Sequence, residues 1–284
     1  MKKRRLLTGV AVTVAALAAA GIAAAATLIV SPGHLDGWSV VHDTCGAATT
    51  GSVAFVKGPG SPPAGKGSVE FTIGSNGDSY ETLRTAGFDT VKLSDLTALD
   101  YWTYVSQGGT GGQAAYIDLY VDWNGDNVRD DILTFEPVYQ TTQGAVVLNT
   151  WQNWDALGGL WWSDVSGGPP PLFTLATYIA SHPNTTILGG GEASFILASG
   201  CGGSAWTNFV GNADKLTVGV SGVNTTFNFE PKKRGPNPDH KVKVCHKGHT
   251  ITIDEHALPA HLKHGDHIGP CTNSKALKKK KKKR

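Results

Sequence analysis

The 284-residue chain carries a formal net charge of +2, is 40% hydrophobic and 17% charged, and contains 36 Gly and 14 Pro. That apolar content excludes a wholly disordered chain, and the length suits one sizeable core of the kind all-β sandwiches build as a single domain. The near-neutral total conceals a segregation, because residues 27–230 hold 6 Lys and Arg against 19 Asp and Glu, whereas residues 231–284 hold 15 against 4. An acidic body repels polyanions, so nucleic acid is a poor partner for it, while a basic end is drawn to anionic polymer or lipid.

The chain opens with Met1, Lys2, Lys3, Arg4 and Arg5, followed by an uncharged, Ala-rich run from Leu6 to Val30. A basic start before an apolar stretch and a small-x-small pattern at Ala24 and Ala26 predicts a secretory signal over 1–26. The run is also long enough to span a bilayer, so an uncleaved anchor is the alternative. The body, 27–230, reads as short alternating runs between turn clusters. Val69, Phe71 and Ile73 share one strand face, as do Ile117, Leu119, Val121 and Trp123; period two means strand. One helix is expected where Leu172, Leu175, Ala176 and Ile179 recur after Pro169–Pro171, ending at His182 before Pro183. Leu216, Val218 and Val220, then Phe227 and Phe229, predict a closing hairpin across Ser221 and Gly222. Many short strands, Gly-rich connections and little helix predict an all-β fold, a two-sheet sandwich of jelly-roll type.

Between the strands ending at Asp122 and beginning at Asp131 the sequence reads DWNGDNVRDD. Asp122, Asn124 and Asp126 alternate, with Asp130 and Asp131 behind them, and oxygen ligands so spaced in a tight loop suit Ca²⁺. Asn127 and Leu133 stand where an EF-hand needs Gly and Glu, so that motif is excluded. A turn over Asn124–Asn127, built from residues that tolerate positive φ, explains the same composition without metal.

Trp151, Trp154, Trp161 and Trp162 crowd into WQNWDALGGLWW, with Asn153 and Asp155 among them. Indole faces stack on pyranose C–H faces while amide and carboxylate groups bond the hydroxyls, so these six residues are the candidate glycan site; core packing is the plainer use of Trp. Two strands end alike, at Phe135-Glu136-Pro137 and Phe229-Glu230-Pro231. Paired carboxylates across a cleft perform glycoside hydrolysis, although Pro ending a strand accounts for the pattern equally. No Ser-His-Asp order, phosphate-binding loop or HExxH motif occurs.

Residues 231–240 (PKKRGPNPDH) predict a semi-rigid linker. Residues 241–272 read as strand, Lys247–Gly248 turn, strand and short helix stopped by Gly265, a ββα-like module too small to hold itself without a disulfide or a metal. The four Cys of an exported chain pair most simply within modules, Cys45 with Cys201 and Cys245 with Cys271, among three possible connectivities. Zn²⁺ is the alternative stabiliser, with His261 and His264, three apart on one helical face, as ligands. The tail 273–284, rich in Lys, is expected to be disordered and to adhere to anionic wall polymer or lipid headgroups.

The stretches GDSYETLRTAGFDTVKLSDLTALDYWTYV, LYVDWNGDNVRDDILTFEPVYQ, WDALGGLWW and FVGNADKLTVGV…FNFEP resemble a family of uncharacterised exported bacterial proteins. That resemblance implies a sandwich and supplies no catalytic set. The end, VCHKGHTITIDEHALPAHLKHGDHIGPC, is similar to a Cys/His module appended to various bacterial surface proteins, whose recurring positions correspond to Cys245, His246, His261, His264, Gly265, Asp266 and Cys271. Together these features predict a secreted or cell-surface binding protein for extracellular glycan or matrix, Ca²⁺-assisted in one version. A secreted carbohydrate-active hydrolase and a purely structural exported protein are the rivals.

Overall fold

A computed structural model describes residues 26–47, 50–232 and 241–271. The expected leader, apart from Ala26, the linker beyond Lys232 and the basic tail lie outside the described residues. The body comprises β1 (Ala26–Val30), β2 (Trp38–Thr44), β3 (Ser52–Lys57), β4 (Gly67–Thr72), β5 (Ser79–Thr85), β6 (Leu96–Gln107), β7 (Tyr116–Asp122) and β8 (Asp131–Phe135). It continues through β9 (Gln152–Asp155), β10 (Leu160–Ser163), β11 (Phe173–Thr174), α1 (Leu175–Ser181), β12 (Thr186–Ile187), β13 (Phe195–Gly200), β14 (Val210–Val220) and β15 (Val223–Phe229). These strands form the expected all-β sandwich.

One sheet has seven strands in the order β1-β15-β14-β4-β3, with β6 on β14 and β9 on β6. The other has eight, β11-β10-β8-β7-β13-β5-β2, with β12 on β7. Only β1 pairs in parallel, against β15, among the described strand pairs. The alternating residues face the core as expected: Val69, Phe71, Ile117, Leu119 and Val121 are fully buried. Aromatic rings lock the layers together, for Trp38 of the eight-stranded sheet meets Phe227 and Phe229 of the seven-stranded sheet edge-on at 5.1 and 5.9 Å. The closing hairpin forms with Val220 opposite Val223. Ser221 (φ 50°) and Gly222 (φ 81°) both adopt the left-handed region, the geometry whose twist matches that of paired strands.

Helix α1 is capped by Thr174, whose side chain accepts from the Thr177 amide, and it buries Leu175 and Tyr178. Ala176, expected on the buried face, is exposed. The reason is that Phe173–Thr174 form a strand on β10, which delays the helix and rotates Tyr178 inward.

The terminal unit contains β16 (Lys241–His246), β17 (His249–Asp254), α2 (Leu258–Lys263) and β18 (His267–Ile268). The third strand pairs on β16, extending the expected ββα pattern to three strands. Both disulfides join the expected partners, Cys45 with Cys201 and Cys245 with Cys271, at Cα separations of 5.3 and 4.6 Å. The unit gains stability from a further source: Val242, Val244, Leu258 and Ile268 pack into the same apolar cluster as the sandwich. The Ile268 amide donates to the Gly87 carbonyl at 2.6 Å. A Cβ at Gly87 would stand 2.7 Å from Ile268 Cδ1, so glycine there permits the docking.

Candidate functional site

The alternation that sends Ile117, Leu119 and Val121 into the core turns Tyr116, Asp118 and Tyr120 to the other face of the eight-stranded sheet. On the adjacent strand β8 the pairing sets Asp118 opposite Thr134 and Tyr120 opposite Ile132. Trp162 of β10 lies opposite Thr134 on its other side. These residues, with Tyr80, Glu136 and Tyr139, line a groove of about 530 Å³, to which the Cys45–Cys201 bridge and Trp206 also contribute. The disulfide therefore does more than close a loop, because it also lines the groove.

Asp118 accepts from Tyr80 Oη on one oxygen and from Thr134 Oγ1 on the other, each at 2.6 Å. Burial pushes its carboxyl up to about 6, against the opposing pull of those hydroxyls. Glu136 accepts from Trp162 Nε1 at 2.9 Å. Burial, with the Asp118 charge adding to it, pushes Glu136 up to about 7 despite that bond. Burial likewise raises Tyr80 well above the ordinary phenol value. Gln113 also lines the groove, and its Oε1 is buried without a hydrogen-bond partner. A buried acceptor left open is costly unless a ligand or water meets it. The groove thus offers aromatic faces beside fixed oxygen acceptors, a combination suited to neutral, hydroxyl-rich ligands.

The tryptophan-rich segment does not converge. Trp154 and Trp161 are fully buried, with their indole N–H groups donating to Thr103 Oγ1 at 2.7 Å and to the Ala156 carbonyl at 2.8 Å. A ligand cannot reach them, which corrects their assignment to a binding surface. The physical cause is that β9 belongs to the seven-stranded sheet and β10 to the eight-stranded one. The chain crosses the core at Gly158–Gly159, where a Cβ on Gly159 would strike Phe135. Trp151 stays with β9, half-buried against Tyr104 at 5.5 Å with its N–H on the Pro59 carbonyl. Asn153 and Asp155 are exposed on that same strand. Of the six residues, only Trp162 lines the groove.

The Glu136–Glu230 pairing is likewise corrected. Glu230 accepts from the Lys66 amide at 2.9 Å and closes the end of the other sheet. The carboxylate that acts on Glu136 is Asp118. Composition did not reveal it, although the Tyr-x-Asp-x-Tyr alternation of 116–120 opposite an apolar face was a readable sign of a functional sheet surface.

In the acidic turn, Asp122 accepts from the amides of Asn124, Gly125 and Asn127. Burial alone would raise its carboxyl, but the amides of Gly125, Asn127 and Asn124 outweigh it and hold it below the ordinary range. Asn124 and Asp126 each accept from the amide two residues on. Asp130 accepts from Trp123 N, and Asp131 from Ser163 Oγ and Tyr178 Oη. Their oxygens serve the turn and its neighbours, and Gly125 and Asn127 have the positive φ the turn requires.

Among the described residues, one group of three His and Asp side chains brings its ligand atoms within 4.8 Å of one another: His246, His261 and Asp266. His264, expected beside His261 as a zinc ligand, is exposed and outside this group. Helix α2 ends at Lys263 and Gly265 (φ 82°) reverses the chain, which carries His264 outward and brings Asp266 back over His261. His246 arrives from β16, fifteen residues earlier, a proximity that helical spacing cannot encode. The chain matches no protein-family model and no curated protein sequence.

Proposed function

We propose that this protein is an exported glycan-binding sandwich whose ligand lies in the groove over Asp118, Thr134 and Trp162. The observation that carries the reading is a groove combining half-buried Trp162 and Tyr120 with the acceptors Asp118, Glu136 and Gln113. Two disulfides fit an oxidising compartment. Among the described residues no helix is long and apolar enough to cross a membrane. Export by the basic, apolar leader accounts for the disulfides, and the Lys-rich tail would hold the product on anionic wall polymer or lipid. A glycan array probed with the full mature chain tests the reading. Binding that is lost in Trp162→Ala and Gln113→Leu, and kept in Trp151→Ala, supports it; binding indifferent to both groove substitutions refutes it.

A second reading, hydrolysis, draws on one observation. Glu136 stands two residues beyond the partner of Asp118, a diagonal position on neighbouring strands. Such diagonals separate Cβ atoms by roughly 7–8 Å, a reach compatible with the ~5–9.5 Å carboxyl spacing of glycoside hydrolases. Glu136, raised to about 7, is the acid candidate. Release of reducing sugar from a bound polysaccharide, abolished by both Asp118→Asn and Glu136→Gln, would establish it. Binding without release leaves the non-catalytic reading standing.

A further inference from the structure

We propose that His246, His261 and Asp266 form a sulfur-free Zn²⁺ site in the terminal module, coexisting with the Cys245–Cys271 disulfide. Disulfide and metal looked like competing staples while the thiols were the obvious ligands. The structure separates them: the sulfurs are spent in the bridge, and the three convergent donors are two imidazoles and a carboxylate.

The geometry is close to coordination already. His246 Nδ1 and His261 Nδ1 each lie 2.7 Å from the same Asp266 oxygen, Oδ2. The two rings meet edge to face at 5.3 Å. A tetrahedral ion with bonds of about 2.0–2.1 Å sets its ligand atoms about 3.3 Å apart, so each nitrogen must draw back from Oδ2 by about 0.6 Å, while all three ligand atoms already lie within 4.8 Å of one another. Three protein ligands leave a fourth position for water. The set suits Zn²⁺, since imidazole nitrogen favours borderline first-row ions and Ca²⁺ demands six or more oxygens.

Access agrees with this arrangement. The Asp266 side chain is 4% exposed, whereas the His246 and His261 side chains are 31% and 22% exposed. The carboxylate forms the base of the site and the rings its open lip. Metal binding needs a lone pair on each Nδ1, so the proton of each neutral ring moves to Nε2. A ring that begins protonated releases one proton, and no redox change is involved.

The site ties three separate segments: the end of β16, the body of α2 and the turn after it. Of these, α2 packs Leu262 against the core cluster, and the turn leads directly into β18, whose Ile268 lies in that cluster. Occupancy should stiffen the module where it meets the body, independently of the groove.

The test uses the tag-free full mature chain, oxidised, stripped with chelator and titrated with Zn²⁺ by calorimetry. One ion per chain with a raised melting temperature is expected. Asp266→Asn, His246→Asn and His261→Asn should each weaken binding at least tenfold, while His264→Asn and His249→Asn leave it within twofold. Long-range imidazole ¹⁵N spectra of the unmutated chain serve if a variant misfolds: Zn²⁺ should shift Nδ1 of His246 and His261. No stoichiometric binding, binding unchanged in all three variants, or shifts confined to other histidines would overturn the proposal.

Discussion

Trp161 and Trp162 are adjacent in the chain and lie on opposite faces of β10, so truncating each should produce opposite consequences. Trp161 is fully exposed to the core and hidden from solvent, packs on Phe135 at 5.6 Å, and donates to the Ala156 carbonyl at 2.8 Å. Trp161→Ala removes a large buried ring, which costs about 3–5 kcal/mol, and orphans a buried carbonyl, which adds about 1 kcal/mol or more. At roughly 2–4 °C per kcal/mol for a body of this size, the melting temperature should fall by about 10 °C or more. Trp162 is half-buried in the groove, so Trp162→Ala should cost no more than about 1–2 kcal/mol. Urea denaturation of both variants, with disulfides intact, measures the difference directly. Equal destabilisation by the two substitutions, or a Trp161→Ala effect below about 1.5 kcal/mol, would refute the assignment of faces on which the groove depends.

Stability should also respond to pH through the buried carboxyls. Asp118 is raised to about 6, and Glu136, Asp89 and Asp214 to about 7. Each is held protonated in the fold where the unfolded chain ionises, so its contribution is complete below about pH 4 and is lost as pH rises toward 7. Denaturation midpoints should therefore decline over that window, and Glu136→Gln should flatten the decline; a variant curve parallel to the wild type counts against it. Asp122→Ala should cost about 1–3 kcal/mol and expose the amides of Asn124, Gly125 and Asn127 to faster hydrogen exchange, because all three donate to that carboxylate. Joint Cys245→Ser and Cys271→Ser substitution opens a 26-residue loop and should weaken the module by about 3 kcal/mol. Limited proteolysis would then cut first within 241–271, and unchanged resistance there would contradict the bridge's stabilising role.

Local chemistry alone was enough for much of the sandwich. Alternation places Val69, Phe71, Ile117 and Leu119 in the core because side chains on a strand point to opposite faces whatever the partner strand is. Ser221–Gly222 encodes its own hairpin, since the turn's φ demands are met within those two residues. The Cys spacing favoured the two bridges that form, as each module holds one pair. Tertiary structure decided the sites. Register between β7 and β8 set Asp118 beside Glu136, and the crossing at Gly158–Gly159 sent Trp161 inward while leaving Trp151 on the other sheet. The reversal at Gly265 and the return of β16 chose His246 over His264. A strand's periodicity tells which residues share a face, but which strands lie side by side is settled by packing energy summed over the whole core, and a single segment carries no record of that sum.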